Sequence, residues 1–340
     1  MDRPMFSPLK FMRVVPLASE SFGVRSMCTF VQTPDVTVLL DAGVSVCPWR
    51  FNLPPHPVEF QNIRTIRGKL ADAADKAQVV TVSHYHYDHH TPSFEDWIVN
   101  WTTQNETARQ IYQNKTLLIK NTTIDINKSQ RERAETFLKT SAKYAKKVEE
   151  ADNKTFMYGN TKIKFSTAVP HGEDQTAMGY VIMTTIEYNN ERFMFAPDIQ
   201  GPISKNTLQL ILEKPLSLLL LGGPPFYLQS TQITDGSIQN AVNNLKDIVN
   251  TVPLTILEHH TLRDECFQQK INPIMKHAKQ AGHNILTAAE FVNKKNCFLE
   301  TKRKNLYEMF PPSKEFQLWI KTLSDHKNKN IEKPPLEPDE

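Results

Sequence analysis

Apolar positions along the chain follow two rhythms, one of strands and one of helices. Val36–Gly43 (VTVLLDAG) is an apolar run ending in Asp-Ala-Gly, which predicts a buried strand that delivers Asp41 to a turn. Gln78–Ser83 (QVVTVS) is a second β-branched run that stops at His84. The first ninety residues read as strands and turns. Thr91-Pro92 has the form of an N-cap followed by proline at the first helical position, predicting a helix there.

Residues 93–155 read as a helical insertion. Ser129 to Glu132 fits a capping box, with Ala134, Phe137, Leu138, Ala142, Ala145 and Val148 at helical spacing behind it. From 156 the strand rhythm returns in TFMYGN, TKIKFSTAVPH, GYVIMTTIEYN and RFMFAPD, then LSLLLL ending at Gly222-Gly223-Pro224-Pro225. A helix is expected near 236–250, then the strand PLTILEHH, then a helix near 264–281. These elements give one domain over 1–327, an α/β (α+β type) sandwich with helices outside. The charged, proline-bearing stretch 328–340 is expected to be a disordered tail.

Composition changes this picture little. The 340 residues carry a formal net charge of +3, with 39% hydrophobic and 23% charged residues, so no strong general pull towards nucleic acid or membrane is expected. The longest apolar run, 216–223, is too short to span a bilayer, and the N-terminus lacks an uninterrupted apolar core of the kind a secretory signal needs. Cys28, Cys47, Cys266 and Cys297 are widely spaced, as reduced thiols of a cytoplasmic protein are.

The candidate chemistry lies in Ser83-His84-Tyr85-His86-Tyr87-Asp88-His89-His90. Imidazole with carboxylate suits zinc and other borderline divalent metals. In an extended segment alternate residues share a side, so His84 and His86 can grip one ion, while Asp88 and His89 face a second.

This HxHxDH run after a strand resembles the signature of the metallo-β-lactamase superfamily. That family's other elements have matches in order: Asp41 in LLDAG, His171 in AVPHG, Asp198 in MFAPDIQG, and His259 or His260 in TILEHHTLRD. The resemblance spans roughly residues 11–265. Its wording in GVRSM, SHYHYDHHTP, GGPP and EHHTLRD looks closer to an uncharacterised archaeal branch.

The resemblance implies a four-layer αββα sandwich and two divalent metal ions, zinc first, with manganese or iron as alternatives. It would place His84, His86 and His171 on one ion, Asp88, His89 and His259 on the other, and Asp198 between them. A hydroxide bridging the ions would be the nucleophile. Asp41 would orient the metal loop, and His260 would shuttle a proton or contact substrate, so the residues expected to take part in the chemistry beyond simple ligation are Asp88, Asp41 and His260. Alternation along a strand sends neighbouring side chains to opposite sides, so only one of His259 and His260 is expected to be a ligand. Arg25, Arg263 and the Gly222–Pro225 turn are candidate pocket residues, arginine suiting phosphate or carboxylate. His90 is expected to serve by hydrogen bonding, and His56, His277, His283 and His326 fall outside every motif.

The function implied is hydrolysis of a small phosphoester, lactone or other ester. A nuclease acting on RNA or DNA is the alternative, suggested by Lys139, Lys143, Lys146 and Lys147. A non-catalytic binding scaffold is a third reading, opposed by a candidate residue at every metal position.

Overall fold

The computed structural model describes residues 7–324 and 332–336. One sheet runs in the order β1 (Arg13–Pro16), β2 (Thr29–Gln32), β3 (Thr37–Leu40), β4 (Val79–Val82), β5 (Thr116–Ile119) and β6 (Lys147–Glu150). β7 (Thr155–Tyr158) and β8 (Thr161–Phe165) begin a second sheet. β9 (Val169–Pro170) and β10 (Tyr180–Val181) form a short ribbon beside it. β11 (Thr184–Tyr188), β12 (Glu191–Ala196), β13 (Leu218–Gly222), β14 (Leu254–Glu258) and β15 (Asn284–Leu286) complete the second sheet, in the order β15-β14-β13-β12-β11-β8-β7.

Period-two alternation explains why the sheets stack. In β12, Phe193 and Phe195 face the first sheet, while Met194 and Ala196 face outward. Leu218 and Leu220 of β13 point inward, and Leu219 and Leu221 outward. Val38 and Leu40 of β3 meet them from the other sheet, with Leu39 turned to the opposite side. Strands apolar on both faces need a cover on each. On the first sheet it comes from α1 (Pro57–Lys76), α2 (Gln104–Tyr112) and α3 (Lys128–Thr140), through Phe60, Ile63, Leu70, Ile111 and Phe137. On the second it comes from α4 (Lys205–Leu212), α5 (Asp235–Thr251) and α6 (Phe267–Gln280), through Ile211, Leu245, Ile248 and Ile274. The short α7 (Ala288–Phe291) plugs the inter-sheet core with Ala288 and Phe291. Behind it run α8 (Arg303–Met309) and α9 (Lys314–Ser324), the latter packing Phe316 and Trp319 on Phe60. The result is a four-layer αββα sandwich, the architecture the sequence resemblance implies.

Several sequence expectations are corrected. The first ninety residues include α1, capped by His56 with Glu59 closing a capping box. No helix starts at Thr91-Pro92, because the Thr91 hydroxyl is taken by tertiary bonds, donating to the Ala42 carbonyl and accepting from Arg67. Residues 93–155 are not an insertion outside the core: β5 and β6 extend the first sheet in parallel, and Leu117, Ile119 and Phe137 lie in its helical core layer. α3 is capped by Asn127 rather than Ser129 and stops at Thr140, so Val148 lies in β6. The expected disordered tail, 328–340, lies outside the described residues except for 332–336. Of those five, Pro334 is buried and Leu336 packs on the core, the Glu332 carbonyl accepts from the Trp319 indole at 2.8 Å, and Lys333 lies over the Trp97 and Trp101 rings. Among the described residues no helix is long and apolar enough to cross a membrane.

Candidate metal centre

β3, β4 and β5 run parallel, as do β12, β13 and β14, so their C-terminal ends open along one edge of the sandwich. Asp41 follows β3, His84 follows β4, Asp198 follows β12 and His259 follows β14. Asp41, Asp198 and His259 leave the strands at left-handed φ of 47°, 48° and 64°. A conformation uncommon for residues other than glycine, recurring at three strand ends, turns all three side chains into one space.

Asp198 is the hub. Its Oδ2 lies 3.1 Å from His84 Nε2, 3.0 Å from His171 Nε2, 3.3 Å from His89 Nε2 and 3.8 Å from His86 Nδ1. Its Oδ1 lies 2.6 Å from His259 Nε2 and 3.1 Å from His260 Nε2. Donor atoms of His84, His86, His171 and Asp198 fall within 4.8 Å of one another, and so do those of Asp88, His89 and His259. The structure thus brings together the residues that the resemblance would place on each ion. Further groups join Asp41 with His84 and His89, and Asp198 with His259 and His260.

The far nitrogens decide what the near ones can do. Asp41 Oδ1 accepts from the Ser83 amide at 2.8 Å, and its Oδ2 accepts from the Ser83 hydroxyl and from His89 Nδ1 at 2.8 Å. With its proton given to Asp41, the Ser83 hydroxyl accepts from His84 Nδ1 at 3.0 Å. Glu20 accepts from His259 Nδ1 at 3.1 Å. Carboxylates only accept, so the neutral imidazoles of His84, His89 and His259 carry their proton on Nδ1 and aim an Nε2 lone pair at Asp198. A lone pair facing a carboxylate oxygen is repulsive until a cation or a second proton comes between them. His89 Nε2, His260 Nε2 and Asp198 Oδ1 are buried without a hydrogen-bond partner. The donor set therefore fits divalent metal.

The titration pattern has the same origin. Burial would lower His259, but the carboxylates of Asp198 and Glu20 push it up to about 9. Burial works the same way on His89, and Asp198 and Asp88 raise it well above the usual imidazole value. Burial opposes ionisation of Asp198, yet His259, His171 and His89 hold its carboxyl well below the ordinary range. For His84, His86 and His260 burial wins and the pKa is lowered.

His86 and Asp88, with side chains 21% and 16% exposed, mark where the site opens. His259 and His260 do not point to opposite sides as expected, because the chain leaves the strand into a 3-10 turn, His259–Arg263, and both rings reach Asp198. Two candidate pocket arginines are already engaged. Arg25 makes a bidentate pair with Glu300, and Arg263 pairs with Glu20 and reaches Asp88 at 3.4 Å. His90 bonds the His86 carbonyl through Nδ1, and burial lowers its pKa to about 3. His56 caps α1, His283 bonds the Val249 carbonyl, His277 lies on α6, and His326 is outside the described residues. Sequence reasoning missed Glu20, Gln200 at 3.3 Å from His171 Nδ1, and Tyr227, whose hydroxyl is 3.0 Å from His260 Nδ1. Glu20 and Tyr227 lie outside every metal motif, with only the nearby GGPP wording hinting at Tyr227, whereas Gln200 stands in MFAPDIQG two residues after Asp198.

No protein-family model matches the chain. Among solved structures it is similar to the metallo-beta-lactamase fold protein YhfI from Bacillus subtilis, at 14% identity and a TM-score of 0.49, covering 84% of this chain and 98% of that one. UPF0282 protein MK0213 of Methanopyrus kandleri is 40% identical over 295 residues, 87% of this chain and 99% of that protein. UPF0282 protein MJ1629 of Methanocaldococcus jannaschii is 44% identical over 296 residues, 87% of this chain and 96% of that protein. Identity at that level, over nearly the full length of both proteins, makes this chain a member of the UPF0282 family.

Proposed function

We propose that the protein is a binuclear metal-dependent hydrolase of a small phosphoester, lactone or other ester. The observation that carries this is the set of imidazoles whose outer nitrogens are fixed by Asp41, Ser83 and Glu20, so that their inner lone pairs converge on Asp198. His84, His86 and His171 would hold one cation and Asp88, His89 and His259 the other, with Asp198 Oδ2 facing the first set and His89, and its Oδ1 facing His259. Bound there, a pair of divalent cations, zinc, manganese or iron, would supply a water of lowered pKa and stabilise negative charge on the substrate.

The chain's own residues do the rest. Asp41 and Glu20 fix ring orientation and tautomer. His260 is placed to hold a proton at Nε2, and its Nδ1 can exchange one with the Tyr227 hydroxyl. The lysines behind the nuclease reading lie on the outer helical layer and at the sheet edge, where Lys147 pairs with Glu149. They add nothing to the site.

The test is elemental analysis after loading, with turnover of p-nitrophenyl phosphate, bis-p-nitrophenyl phosphate and a simple lactone. About two ions per chain and turnover of one of these are expected, with His84→Ala and Asp198→Ala losing both while staying folded. A folded wild-type protein that takes up no metal and turns over none of them would move the reading to a binding scaffold.

A further inference from the structure

The sequence pointed to Arg25 and Arg263 as pocket cations, but carboxylates already satisfy both. The half-buried surface beside His260, at Tyr227, carries a different one. Arg50 sits on the loop after β3, where Phe51 and Asn52 turn at left-handed φ of 56° and 60°. Its Nη2 donates to the Arg263 carbonyl at 2.9 Å, on the same turn that carries His259 and His260. Its guanidinium lies 5.3 Å from the Tyr227 ring centroid and 4.9 Å from that of Phe51. Tyr227 in turn lies parallel to His260, at an interplanar angle of 14°, and bonds it. One aromatic ring and one imidazole thus separate Arg50 from Asp198.

Arg50 is under-satisfied. Its Nε is buried without a hydrogen-bond partner. The carboxylate near it, Glu300, is 3.9 Å away and has both oxygens engaged by Arg25. Lys304 Nζ also lies 4.5 Å from the Phe51 ring centroid, adding a second cation nearby. A guanidinium seated on aromatic rings, anchored by one N–H and still partly exposed, is preorganised to receive a planar pair of anionic oxygens.

We propose that Arg50 is the specificity-determining residue of this site, selecting a substrate that carries an anionic oxyacid group, phosphoryl or carboxylate, bound beside Tyr227 on the His260 side of the site. This rests on the hydrolase reading only for what happens to the substrate afterwards; the anion subsite stands by itself.

The test uses the full, metal-loaded chain and calorimetric titration with inorganic phosphate and, separately, acetate. Wild type is expected to bind at least one of them, and the one bound more tightly identifies the source of the anionic group. Arg50→Gln should weaken that binding roughly tenfold or more, with metal content and Tm close to wild type and Arg50→Lys in between. With p-nitrophenyl hemisuccinate, whose carboxylate is separate from the scissile ester, the loss should appear in KM rather than kcat, lowering kcat/KM relative to p-nitrophenyl acetate. If Arg50→Gln loses metal or unfolds, Arg50→Lys carries the comparison, since it keeps the charge but not the planar fork, and an unchanged Kd in it overturns the proposal. Wild type that binds neither anion, or an Arg50→Gln protein that binds as wild type does, also overturns it. Anion binding that depends on Arg50 without turnover of any ester supports the subsite and sinks the hydrolase reading.

Discussion

Asp198 has two carboxylate oxygens, and six imidazoles face them. Whether an imidazole serves as ligand or proton carrier depends on what holds its other nitrogen. His259 Nδ1 is held by Glu20, which can only accept, so its Nε2 is committed as a donor of electron pairs. His260 Nδ1 meets the Tyr227 hydroxyl, which can give or take a proton, so its tautomer is free to change. On the proposed binuclear centre, His259→Ala should therefore lose one of two metal ions, whereas His260→Ala should keep both and lower kcat about a hundredfold. Elemental analysis of the two variants separates the roles, and loss of metal from His260→Ala would reverse the assignment. At this scale the sequence showed the residues spaced closely in a motif, His84 to His89, and those at recognisable strand ends. Glu20 was invisible because its partner stands 239 positions away, and only the fold brings Arg50 to Tyr227.

Elements matter here as devices for ending strands at one edge, and two glycines show how tightly those ends are packed. A Cβ on Gly222, at the end of β13, would lie 2.6 Å from the Asp198 amide nitrogen, and one on Gly43 would lie 2.2 Å from that of His90. Both contacts are to backbone, so the neighbouring strand end or metal loop would have to move. Gly222→Ala should cost roughly 1–3 kcal/mol and displace Asp198, weakening metal binding as well. Gly68→Ala, at an exposed mid-helix position of α1 with open space around it, should instead stabilise by about 0.5–1 kcal/mol. Denaturant unfolding with metal titration checks both, and wild-type metal affinity in Gly222→Ala would show that the strand end tolerates the shift. The long apolar strands were legible because both their faces are buried, as in LSLLLL and VTVLL. The misread elements lacked that signal. β6 (KVEE) is a charged edge strand with no apolar alternation, and β5 is only four residues long. α1 hid behind a histidine N-cap and a mid-helix glycine, although Phe60, Ile63, Ile66 and Leu70 keep helical spacing.

Across the whole molecule, two sheets and two helical layers hold buried histidines of opposite character, and this gives the protein a pH signature. His90, lowered to about 3, and His84, His86 and His260, also lowered, stay neutral in the folded chain. Below about 6.5 the unfolded chain binds more protons at these positions, so stability falls as pH drops. His259, raised to about 9, and His89, also raised, have the opposite sign. Their contribution is full below about 6.5 and is lost as pH climbs through their folded values. Without metal, then, these histidines make the protein most stable near neutrality, with losses on both sides. Metal held by His89 and His259, as proposed, would take the place of those extra protons, removing the alkaline loss while leaving the acid one. The Tm difference between loaded and chelator-treated protein should accordingly widen from about pH 6.5 to 9 and close on acidification, as protons displace metal. Calorimetric scans across that range measure it directly. A difference that stays constant up to pH 9 would mean that neither His89 nor His259 meets the cation, and with them the second half of the metal centre would have to be reassigned.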